Sequence, residues 1–177
     1  MNAEKSKRTE ELFNELAEFI NDVGMPAVVL TEADGVPAVS LLTGLPDEVG
    51  KGHYVVCSFI DADDEDDDLS ACCHLYYEIS LNIDELDLFQ LLQVINAMNA
   101  VIKIGHFVWQ KRETGSRIFL RYSLLTATKE ELDPEIICDC SQSILEYAMV
   151  MEEMITALAS GIEIEQVLAD YDLNLEV

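Results

Sequence analysis

The sequence predicts an α+β protein in which an antiparallel sheet has helices packed on one face. Apolar residues recur at three- and four-residue intervals in three separate stretches, the spacing of one helix face. Between those stretches lie short runs rich in β-branched and aromatic residues, bounded by turn chemistry. The strand runs follow one another directly instead of alternating with helices, which points away from a parallel α/β sheet. Half of the 177 residues are apolar, so the chain has the material for a core despite a net charge of −25.

The first helix is expected over Thr9 to Asp22, where Leu12, Phe13, Leu16, Phe19, Ile20 and Val23 fall on one face. Thr9 suits an N-cap and Gly24 a stop. AVVLTE and VPAVSLL then form a hairpin around Ala33-Asp34-Gly35. Gly44, Pro46, Gly50 and Gly52 predict a loop before a third strand, HYVVCSFI, from His53 to Ile60. Seven of the eight residues from Asp61 to Asp68 are acidic, and their repulsion favours an extended loop. A fourth strand runs from His74 to Ile83, with Leu75, Tyr77, Ile79 and Leu81 on its core face.

Asp84 and Asp87 are candidate caps for a second helix, whose stripe is Leu88, Leu91, Leu92, Ile95 and Met98. Asn99 stands where that helix should end, since Asn tolerates a left-handed closing turn. The clearest hairpin is next: VIKIGHFVWQ, a turn around Glu113-Thr114-Gly115, then SRIFLRYSLL. Pro134, placed after Asp133, opens a long helix with Ile137, Ile144, Ala148, Met151, Ile155 and Leu158 in one stripe, and Gly161 ends it. The order is α-β-β-β-β-α-β-β-α. Residues 1–160 form a single domain on this reading, and residues 161–177 a short acidic helix or tail.

Charge is distributed very unevenly. Six of the ten Lys and Arg residues lie between Lys103 and Lys129, against the one acid Glu113, whereas Glu130 to Val177 holds 13 acids and no base. An acidic surface repels phosphate backbones and anionic lipids, so neither nucleic acid nor a membrane is an expected partner. No run of residues is apolar for long enough to span a bilayer, and the polar start MNAEKSKRTEEL lacks a signal-peptide core; a cytoplasmic protein is expected. Five cysteines without CxxC spacing suit reduced, packed thiols.

Catalytic and metal chemistry find no recognisable pattern. An EF-hand counted from Asp61 meets Asp66 where Gly is needed and Cys72 where Glu is needed. Cys72 and Cys73 point to opposite faces of a strand, and no nucleophile elbow, phosphate loop or HExxH occurs. The expectation is therefore no enzyme, no metal and no cofactor. The candidate partner-binding residues are Lys103, Trp109, Arg117, Phe119 and Arg121. Lys103, Arg117 and Arg121 either neutralise neighbouring acids on the outer sheet face or align a homodimer by meeting an acidic helix of a second copy. Phe107 and Trp109 share a strand face, with Phe119 opposite, as core or as a partner anchor.

The helix ending Ile95-Asn96-Ala97-Met98-Asn99, followed by a strand and by Arg117-Ile118-Phe119-Leu120-Arg121-Tyr122, resembles the YbjN family. The likeness is confined to Asn96 through Tyr122 and to the element order. It implies a type III secretion chaperone-like fold, a sensory transduction regulator without catalytic residues, and a grip on an extended segment of a partner protein. The alternative is an acidic decoy that mimics nucleic acid and sequesters basic proteins.

Overall fold

The structure, a computed structural model, describes residues 3–45, 53–60 and 71–173. Among them are four α-helices and six strands: α1 (Ala3–Asp22), β1 (Ala27–Leu30), β2 (Ser40–Leu45), β3 (His53–Ile60), β4 (Ala71–Glu78), α2 (Leu88–Val101), β5 (His106–Arg112), β6 (Gly115–Thr126), α3 (Pro134–Ala159) and α4 (Ile164–Asp170). The class is α+β, and the strands form an open antiparallel sheet in the order β1-β2-β3-β4-β6-β5. β1 and β5 are therefore the edges. The chain divides into two compact units, residues 1–76 with 122–145 and residues 77–121 with 146–177.

In the first unit α1 lies against β1 and β2, and buries Phe13, Leu16, Ala17 and Ile20. Phe13 stacks on Phe59 with ring centroids 5.3 Å apart. The helix starts six residues before Thr9, so Thr9 is no cap; it is buried within the helix and its hydroxyl accepts from Lys129 Nζ at 3.4 Å. Gly24 does stop the helix, with φ +89°. The first turn tightens into a 3-10 helix over Glu32–Asp34, where the Asp34 carboxylate accepts the Thr31 N–H at 2.8 Å. Gly44 belongs to β2 and not to the loop. A Cβ there would overlap the His53 carbonyl, so glycine is what lets β2 and β3 approach.

Alternation in this unit is clean. Leu41, Cys57 and Leu75 are in register and buried, while the next row, Val28, Leu42, Val56 and Tyr76, is exposed or half-buried. The Asp61 to Asp68 run lies outside the described residues, as do Pro46, Gly50 and Gly52.

The second unit builds α2 against β5 and α4. Asp87 is the N-cap of α2, accepting the Gln90 N–H at 3.0 Å, while Asp84 serves elsewhere. The buried stripe is Leu91, Val94, Ile95, Ala97 and Met98. Leu88 and Leu92 are exposed, because the core-facing stripe is rotated toward Val94 and Ala97. In α3, Ala148, Met151, Ile155 and Leu158 are buried as their spacing predicts. Tyr77 donates its hydroxyl to Glu152 at 2.9 Å; burial first, then this bond, holds the phenol well above its usual range.

Candidate functional site

The β5–β6 hairpin positions most of the predicted partner-binding residues. Its two-residue turn places Val108 opposite Phe119, Trp109 opposite Ile118 and His106 opposite Arg121. Side chains alternate faces along a strand, so Phe119, Arg117, Arg121 and Arg112 share one face. Phe107 and Trp109 share the other face with Ile118 and Leu120. Phe119 therefore neighbours Val108, and Trp109 is parted from it by the thickness of the sheet. Lys103 sits, exposed, in the loop before β5 and outside the strands that carry Arg117 and Arg121. Three of the five predicted residues come together; Trp109 and Lys103 do not join them.

The cations on this hairpin are not equally engaged. Arg117 Nε meets Glu78 at 3.0 Å, and Lys111 meets Asp84 at 3.4 Å. Arg112 and Arg121 have no carboxylate partner among the described residues. Their guanidinium carbons lie 4.9 and 5.1 Å from the Phe119 ring centroid. Phe119 is only 3 % exposed, so it is a buried platform for two cations and not an exposed anchor.

Asp84 fixes the tip of the hairpin. Its carboxylate accepts the Ser116 N–H at 2.9 Å, and a Cβ on Gly115, whose φ is +120°, would come within 2.6 Å of it. The Ser116 hydroxyl and N–H, with Lys111 beside them, hold the Asp84 carboxyl below its usual range. An open polar cleft of about 490 Å³ adjoins this corner, lined by Glu78, Ser80, Asn82, Asp84, Thr114 and Arg117. Its three charged groups, Glu78, Asp84 and Arg117, are all paired or bonded, which leaves it little free charge for a ligand.

Asn99 does something the sequence reading did not find. It sits inside α2, two residues before the helix ends, and closes no left-handed turn. Its amide donates to the Phe107 carbonyl at 3.0 Å, and its carbonyl accepts the Phe107 N–H at 2.6 Å. A side-chain amide thus pairs with the outer edge of β5 as a neighbouring strand would. Asn21 of α1 does the same to Ala27 of β1, with both bonds at 3.0 Å. Each edge strand is therefore capped at one residue by an asparagine from the helix before it. The only sequence signal is an Asn near a helix end, a few residues ahead of a strand.

The caps also reveal which backbone groups point outward. Antiparallel neighbours alternate between bonded and non-bonded pairs. Because Phe107 spends its N–H and C=O on Asn99, the backbone groups of Trp109 and Lys111 also face away from β6. Neither has a backbone partner among the described residues. On β1, which has four residues, only Val29 is left in that position.

In the first unit Cys57, Cys73 and Cys140 are buried, and Cys72 and Cys138 are half-buried. All five are free thiols. Burial pushes Cys57 well up and, with neighbouring thiols, Cys73 up to about 12. Among the described residues no group of three or more His, Cys, Asp or Glu is placed to hold a metal ion, and no helix is long and apolar enough to cross a membrane. Compared with protein-family models and with curated proteins, the chain finds no match in either.

Proposed function

We propose that this chain is a non-enzymatic protein-binding protein that takes an extended segment of a partner as an added strand along β5. The supporting observation is the partly capped edge: Asn99 closes β5 at Phe107, and the backbone groups of Trp109 and Lys111 beyond it are open. Such edges recruit strands, because main-chain bonds supply affinity and alternate side chains supply selectivity. On this reading the helices lie on one face of the sheet, in the manner of type III secretion chaperones. The half-exposed row Val28, Leu42, Val56 and Tyr76 suits that arrangement, lying opposite the buried face. The resemblance to the YbjN family over Asn96–Tyr122 has no matching family model behind it, so the edge geometry carries the proposal.

Short synthetic peptides of varied charge provide the test, with amide hydrogen exchange as readout. A bound strand slows exchange at Trp109 and Lys111, and methylating the peptide's backbone nitrogens on its bonding edge abolishes the effect. Binding that leaves both amides unprotected rejects the edge as the site. The expected homodimer would use the same basic face, but self-repulsion at a net charge of −25 opposes it.

A further inference from the structure

We infer that the β5 edge selects an extended segment of alternating acidic and apolar residues, its carboxylates on the arginine face and an apolar side chain against Trp109. The inference rests on the edge reading above and adds the chemistry of the occupant. Three observations meet at this place. The backbone opening spans Trp109 to Lys111, so an added strand pairs there and not at Phe107. Side chains of that strand fall alternately on the two faces of the sheet. One face carries Arg112 and Arg121, which lack carboxylate partners among the described residues; the other carries the half-buried indole of Trp109.

Charge decides the sign. Outside this hairpin the chain is acidic, so a basic partner would be drawn to most of the surface but would meet like charge at β5. An acidic segment is repelled by most of that surface and favoured at this hairpin. The arginines also cost little to recruit. Stacking on Phe119 already restricts them, so less side-chain freedom remains to be lost when a carboxylate arrives. Lys111 and Arg117 contribute less, because Asp84 and Glu78 occupy them.

Trp109 is the sole tryptophan, so its emission reports on β5 alone. Titration with blocked peptides EVEVE, TVTVT and KVKVK should shift that emission, with EVEVE binding about tenfold tighter than TVTVT and KVKVK weakest. In R112Q/R121Q the preference should vanish, and R112K/R121K should restore most of it. Unchanged far-ultraviolet circular dichroism verifies that the variants fold. Equal binding of all three peptides overturns the acidic selectivity and leaves the edge reading standing. No emission change with any peptide, together with unprotected Trp109 and Lys111 amides, overturns both. A dimer in light scattering that R112Q/R121Q disperses places a second copy on this face, and also overturns the inference.

Discussion

At Asp84, a solvent-accessible carboxylate organises the tip of the basic hairpin. It accepts the Ser116 N–H, faces Lys111, and leaves no room for a side chain on Gly115. Since folding lowers its pKa, its contribution is complete above the ordinary carboxyl range and is lost as pH falls through the depressed folded value. The expected outcome is that Ser116 amide exchange, followed by NMR, stays protected at pH 5 and accelerates only on stronger acidification. Asp84→Ala, which removes the acceptor, should expose the same amide at neutral pH. The place of Asp84 in the sequence predicts a helix cap, the usual role of an Asp ahead of an apolar stripe. Its actual partner is 32 residues away, a distance that local spacing does not encode.

At the scale of elements, two helices each end by sealing part of an edge strand. Asn99 satisfies both outward backbone groups of Phe107, and Asn21 both of Ala27. Asn99→Leu removes two hydrogen bonds and strands the Phe107 groups, at a cost of about 1–3 kcal/mol in urea unfolding. It also lengthens the open edge by one bonding position, so self-association in light scattering should rise. A stability loss without greater association would mean that the amide only anchors the helix. The hairpin itself was legible: alternation, a two-residue turn and Gly115 mark it. The stripe of α2 was legible in period but not in phase, because Leu88 and Leu92 are as apolar as Val94 and Ala97. Which of them face the core depends on where β5 and α4 lie.

Across the whole molecule, charge sets the conditions under which any partner binds. With 35 acids against 10 bases, the sequence pI is about 4.1. Turbidity should therefore show a solubility minimum near pH 4, where self-repulsion vanishes. Raising ionic strength should weaken the acidic-peptide preference at β5 more than the binding of TVTVT, since screening acts on the charged contacts and spares backbone bonds. A preference unchanged by salt would place its origin outside the two arginines.

By itself the sequence determined the fold class, the positions of the long helices and hairpins, and the segregation of charge, because these follow from local periodicity, turn chemistry and composition. Only the tertiary structure decided which strands are edges, that Asn99 and Asn21 cap them, and that Arg112 and Arg121 lie on Phe119 while Arg117 and Lys111 are paired. Those features join residues through strand order and register, and one residue's shift in register exchanges the two faces of the sheet. The pattern of apolar and polar residues permits several such pairings; packing selects one.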